Sequence, residues 1–253
     1  MTTVLEIGNR TLKSEEIIPL MASYKMLPQL LCESIIDQAI AEIKCTREET
    51  ENASEQLYQR WGLTDEAEKQ LWLQRYGMSK EHLESLATRS LRIEKFQEQK
   101  WGHKLESYFL QRKGQLDKVI YSLLRVKDQG FANELYFRIT EGEQSFAEIA
   151  FKHSEGSEAQ TGGIMGPLEL GTIHPNLAQI LRVSQPGEIW APMPFGEYRV
   201  IVRLEKLIPA QLDEAMRKRL LHENFEAWFT EQLGQLSVQD QIWMGVTPPQ
   251  QAG

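Results

Sequence analysis

Ser145-Phe-Ala-Glu-Ile-Ala-Phe-Lys-His-Ser154, Gly162-Gly-Ile-Met-Gly166, Gln185-Pro-Gly-Glu188 and Phe195-Gly196 are the four short blocks that decide how this chain folds. Ser145 with Glu148 three residues on is an N-terminal capping pattern, so a short helix is predicted from Phe146 to His153. Phe146 and Ala150, four apart, share one face of that helix and can pack it on a sheet. Gly162 and Gly163 permit a tight backbone turn that a side chain would obstruct, and Gln185-Pro-Gly-Glu188 is turn chemistry. The Gly-rich block is not a phosphate cradle, because no Gly-Lys-Ser/Thr comes after it and it is preceded by a helix rather than a strand.

Working outward, Val119 to Val126 is β-rich, Gln129 to Ile139 is helical, Pro175 to Leu181 is a short helix and Tyr198 to Leu204 is a strand. The predicted order of this middle segment is β-α-α-β-α-β-β. Residues 15 to 113 are almost all helix. Before them, Thr3 to Ile7 is a strand, Gly8-Asn9 a turn and Ser14 a helix N-cap. Leu31, Ile35, Ala39 and Ile43, flanked by Cys32, Ile36 and Ile40, form a wide apolar stripe behind Pro28, which predicts a largely buried helix. Thr46 and Glu49 make a capping box for the next helix. Gln59-Arg-Trp-Gly-Leu-Thr-Asp-Glu66 is then echoed by Gln74-Arg-Tyr-Gly-Met-Ser-Lys-Glu81. Each copy is one helix ending, with Gly62 or Gly77 at positive φ and Thr64 or Ser79 capping the next helix. Ser79 to about Trp101 is a longer helix with Leu83, Leu86, Ile93 and Phe96 on one side. After Pro209 a helix from Gln211 to about Leu236 buries Leu212, Met216, Leu220, Phe225, Trp228 and Leu233. Gln241-Ile-Trp-Met244 is strand-like and is expected beside Thr3 to Ile7, since a lone strand leaves half its backbone groups unpaired.

The four blocks, in order and at near-family spacing, resemble the parvulin family of peptidyl-prolyl isomerases. The strand, the acidic helix start and the helices before them resemble the N-terminal half of SurA-type and PrsA-type foldases. The resemblance implies an α+β protein: a helical domain at 1–116, a parvulin-like domain at 117–208 inserted into it, and a C-terminal helix and tail at 209–253 that pack back on the first part. It also implies a reaction, rotation about an X-Pro amide, whose barrier of roughly 18 to 20 kcal/mol comes from amide resonance. No bond breaks, so catalysis means gripping the proline ring in an apolar pocket and stabilising the twisted amide.

Parvulins line this site with two His on neighbouring strands, a Cys or Asp, and Met and Phe around the proline. Carried over by position, the first His falls at Ser122 or, one register away, Tyr121. The Cys or Asp falls at Gly156 and the second His at Arg199, so none of the polar trio is kept. The proline pocket falls at Ile173 and Leu177, with Phe195 and Tyr198 beside it. The resemblance therefore implies a foldase that binds extended or unfolded polypeptide and proline-containing peptides, with weakened isomerase activity. The alternatives are a catalytically inactive parvulin-fold chaperone, or an adaptor for one dedicated peptide or export partner.

Composition narrows the partners further. With 28 Lys and Arg against 36 Asp and Glu, the net charge is -8 and the six Trp have no basic stripe beside them, so nucleic acid is not expected as a partner. No apolar run of about 18 residues exists to insert in a membrane. The first fifteen residues lack the basic-then-apolar order of a secretory signal, which gives a cytoplasmic expectation for the chain as written, whereas SurA-type relatives are typically exported. Cys32 and Cys45 have no metal or redox spacing, and none of the five His has ligand spacing. No metal or other cofactor is expected.

Overall fold

The computed structural model describes residues 3–7 and 10–244, with side chains from Leu12 onward. Strands β1 (Thr3–Ile7) and β2 (Arg10–Lys13) precede α1 (Ser14–Ser23), α2 (Leu27–Ala39), α3 (Arg47–Arg60), α4 (Glu66–Arg75), α5 (Lys80–Trp101) and α6 (Leu105–Leu116). Next come β3 (Lys118–Val126), α7 (Gln129–Thr140), α8 (Phe146–His153), β4 (Ile164–Glu169), α9 (Pro175–Val183), β5 (Ile189–Phe195) and β6 (Tyr198–Ile208). The last described elements are α10 (Glu214–Gly234) and α11 (Val238–Trp243). The middle segment thus has the β-α-α-β-α-β-β order that its turns and periodicities predict, and the protein is α+β.

Two compact units emerge, one made of Met1–Leu105 and Lys218–Gly253, the other of Glu106–Arg217. The second is inserted in the first, with wider limits than the 117–208 marked by motifs. A reason lies at Asp117, whose carboxylate pairs with the Lys113 ammonium at 2.8 Å and accepts the Ala210 N–H at 2.7 Å. The segments on either side of the sheet are thereby tied to its first strand.

In the helical unit, the Thr46–Glu49 capping box forms as predicted, with the Glu49 N–H donating to Thr46 Oγ1 and the Thr46 N–H to Glu49 Oε2. Gly62 and Gly77 take φ of 70° and 61°, which lets both copies of the echoed ending turn without strain. Ser79 caps α5, but α4 is capped by Asp65 rather than Thr64. Lys13, not Ser14, is the N-cap of α1. The wide stripe of α2 is only partly covered within the helix, and full burial is reached only at Ile40, its C-cap. On its polar side, Arg89 of α5 reaches Glu33 at 2.5 Å and Asp37 at 2.9 Å. Leu86, expected inside, is exposed. Phe96 and Trp101 of α5 pack with Phe225 and Trp228 of α10, joining sequence-distant helices through aromatic edges. Between α3 and α5 lies a concavity of about 550 Å³, whose charged lining includes the pairs Arg47–Glu51 and Lys80–Glu84.

The expected pairing of the two chain ends is not found. β1 takes β2 as its antiparallel partner, and Gln241 to Trp243 belong to helix α11, capped by Ser237. A Ser three residues before Asp240 supplies a helix start that outweighs the local β character. The turn assigned to Gly8-Asn9 lies outside the described residues.

The inserted unit is built on a four-stranded antiparallel sheet in the order β4-β3-β6-β5. One face packs on α7 and α8 through Leu124, Phe146, Ile149 and Ile201. The other packs on α9 through Val119, Tyr121, Leu177, Leu181, Val202 and Leu204. Gly163 has φ 86°, and a Cβ there would stand 2.7 Å from the Leu123 carbonyl oxygen. Its lack of a side chain is what lets the loop after α8 lie on β3, where the Leu123 N–H donates to the Gly163 carbonyl. Among the described residues no helix is long and apolar enough to cross a membrane.

Candidate functional site

Strand alternation sorts the candidate residues by face. Tyr121 is buried on the α9 face, in one cluster with Ile173 and Leu177, and Phe195 packs against that cluster. Ser122, the next residue, points the other way. Its hydroxyl donates to Glu205 at 2.5 Å, Glu205 also accepts from Arg203, and the Arg203 guanidinium lies over the Phe146 ring of α8. Arg199 alternates with Val200 of the α9 face and so shares the face of Ile201 and Arg203. Ser122 and Arg199 therefore lie on the sheet face opposite to the one that carries Ile173, Leu177 and Phe195, and Tyr121 lies on the same face as those three. A bulge on β6 at Glu205, opposite Ile120 and Tyr121, shifts the pairing of the two strands, while Val119, Tyr121 and Leu123 of β3 keep strict alternation on the α9 face.

Ile173 and Leu177, expected as pocket walls, are 8% and 6% exposed and belong to the buried core cluster. Met165 of β4, with Met193 and Phe195 of β5, packs against that cluster and stays partly buried, giving it an apolar rim. His174, at the N-cap of α9, meets the Phe195 ring edge-on with centroids 4.7 Å apart. Sequence reasoning does not single out Met165, Met193 or His174, although Met165 lies within the Gly162-Gly-Ile-Met-Gly166 block.

The polar part of this face is made by residues that motif matching passes over. Glu158, in the turn after α8, has a side chain with no solvent exposure. The Arg125 guanidinium grips it in a fork, Nε to Oε1 at 2.8 Å and Nη2 to Oε2 at 2.6 Å. Ser154 completes the arrangement: its hydroxyl donates to Glu158 Oε1 at 2.6 Å and accepts the Arg125 N–H at 3.1 Å. Burial alone would raise the Glu158 carboxyl, but the Arg125 fork, the Ser154 hydroxyl and a backbone N–H outweigh it and hold the group below the usual carboxylate range. The Glu158 hydrogen bonds hold the guanidinium in its charged form. Burial pushes the Tyr121 phenol up, with Arg125 pulling in the opposite sense. Tyr198 faces the same assembly, its ring 5.9 Å from the Arg125 guanidinium and 5.5 Å from the Lys127 ammonium.

Gly156 belongs to this arrangement by subtraction. A Cβ at that position would meet Glu158 Oε2 at 2.2 Å and Arg125 Nε at 2.4 Å. The position where the parvulin resemblance puts a Cys or Asp is vacated, and an ion pair fills the space. A charge-bearing fork of this kind leaves one signal in sequence, an Arg on the β3 stretch and an acid shortly before the paired glycines, too common to stand out alone. Among the described residues no cluster of three or more His, Cys, Asp or Glu could hold a metal ion.

The family model of the rotamase, or PPIC-type PPIASE, domain matches residues 125–206. The chaperone SurA of Aromatoleum aromaticum is 31% identical over 96 residues, which are 34% of this chain and 22% of that one. SurA of Nitrosospira multiformis is 33% identical over 104 residues, 38% of this chain and 23% of that one. The matched stretch thus spans less than a quarter of those relatives. Among solved structures, the peptidylprolyl isomerase PrsA from Bacillus cereus aligns over 96% of this chain and 95% of its own, with a TM-score of 0.48 and 18% identity. A SurA-like chaperone of Campylobacter jejuni, from the pair PEB4 and Cj1289, aligns over 92% and 94%, with a TM-score of 0.37 and 16% identity. The inserted unit is a parvulin-type domain. Helices come before and after this unit in the chain.

Proposed function

We propose that this protein is a foldase-like chaperone that binds extended or unfolded polypeptide, including X-Pro segments, on the α9 face of the parvulin-type domain. One observation carries the reading: the apolar rim of Met165, Met193 and Phe195 shares a sheet face with a fixed cation, Arg125. That is the pairing of surfaces an X-Pro amide calls for, an apolar seat for the ring and a donor for the carbonyl. Burying a proline-sized group contributes on the order of 1.5 to 3 kcal/mol, so binding through this face alone is modest. The reading takes the domain at 117–208, with 1–116 and 209–253 as the helical part that adds contacts along the client. Cell fractionation decides between a cytoplasmic setting and a periplasmic or exported one.

A second reading, an inactive parvulin-fold adaptor, draws on the loss of imidazole and thiol at Ser122, Gly156 and Arg199. A protease-coupled isomerisation assay on X-Pro tetrapeptides, run beside peptide-binding calorimetry, decides. Binding with turnover supports the foldase, whereas binding without turnover supports the adaptor.

A further inference from the structure

The Arg125–Glu158 fork is unequally buried, and that inequality has a use. The Glu158 side chain has no exposure, whereas that of Arg125 is 30% exposed. Nε and one N–H of Nη2 are spent on the carboxylate. The Nη1 edge has no hydrogen-bond partner among the described residues. A planar guanidinium fixed on one edge by a bidentate carboxylate presents its remaining donors in a set direction.

Register shows what those donors lie beside. Arg125 pairs with Val200 across β3 and β6, and Val200 pairs with Met193 across β6 and β5. Arg125, Val200 and Met193 thus form one row on the α9 face, its ends two strand spacings or about 10 Å apart. Tyr198, which faces Arg125, pairs in turn with Phe195. A proline ring seated on Met193 and Phe195 leaves the carbonyl of the preceding residue within the span of a peptide unit and the arginine side chain.

Resting on the function proposed above, we infer that Arg125 is the group that donates to the carbonyl of the X-Pro amide as it twists, and that Glu158 and Ser154 are positioning residues that aim it. In the planar amide that oxygen shares charge with nitrogen through resonance; rotation redistributes the charge, and a fixed donor follows the oxygen without reorganising. No bond is made or broken and no proton moves. Gly156 is part of the device, since any side chain there displaces the fork. The polar group is carried by β3 and the turn after α8, while Ser122 and Arg199 face away.

The test uses the full chain and X-Pro tetrapeptides, with KM and kcat measured separately and folding checked by circular dichroism. Arg125→Met alone leaves a buried carboxylate unpaired, so the decisive variant is R125M/E158Q, which removes the cation without stranding a charge. Its expected kcat is about a hundredfold below wild type, with peptide affinity within roughly threefold, because the apolar rim is untouched. R125K, which keeps the charge and loses the fork, is expected between the two. A folded R125M/E158Q protein that keeps wild-type kcat overturns the inference and reduces the ion pair to a structural clamp. Wild-type protein that binds the peptide yet shows no turnover also overturns it, leaving the binding reading in place. Failure of the wild type to bind overturns both.

Discussion

A carboxylate sealed from solvent must have its charge answered, and at Glu158 the answer comes from Arg125 and Ser154. Removing only the guanidinium, as in R125M, is expected to destabilise the protein by about 3 to 5 kcal/mol, the usual consequence of an unpaired buried charge. R125M/E158Q is expected to recover most of that loss; denaturant melts of the two variants check the contrast, and equal melts contradict it. The pH dependence has a definite sign. Glu158 is held below its unfolded value, so its contribution to stability is whole above the ordinary carboxylate range and is lost as pH falls through the folded value. The stability difference between wild type and E158Q should therefore persist at neutral pH and shrink only under acid, with Arg125, Lys127, Tyr121 and Tyr198 as the other ionisable groups facing the site. Denaturant titrations in a pH series measure it, and a difference that grows as pH falls contradicts it. At Gly156, Gly156→Ala should push the fork apart without touching the apolar rim, seen as lost turnover with retained peptide binding.

Elements were legible wherever a cap and a period agreed. Thr46 and Ser145 announce helices that form with both bonds of their capping boxes in place, so Thr46→Ala or Ser145→Ala should cost about 0.5 to 2 kcal/mol in denaturant melts. Where two signals compete, local composition misleads. Gln241-Ile-Trp-Met244 has strand-like residues, but Ser237 caps a helix through it. The stripe on α2 is wide enough for a buried helix, yet burial depends on what lies opposite, which no local pattern contains. The apolar half of the proposed site was open to reading, because the family resemblance names Ile173, Leu177 and Phe195, and the fold gathers them at one cluster. Its polar half was not. Pairing across β3, β6 and β5 puts Arg125 in one row with Val200 and Met193, and Arg125 and Glu158 meet across 33 residues of chain. Motif spacing carries neither fact.

Across the full chain, the parvulin-type unit interrupts a helical unit whose parts are closed by the aromatic packing of Phe96 and Trp101 against Phe225 and Trp228. Each unit has its own buried residues, and those of the inserted unit gather on both faces of one sheet. The client site belongs to that sheet in this account, on the side of α9 rather than the side of α7 and α8. The sharpest test is a titration of isotopically labelled full-length protein with an extended proline-containing peptide, tracked residue by residue in amide and methyl spectra. Saturable shifts centred on Met165, Met193, Phe195, Tyr198 and Arg125, with Leu124, Ile149 and Ser122 unmoved, are the expected result; shifts confined to the α7 and α8 face or to the helical unit, or none at all, contradict the account.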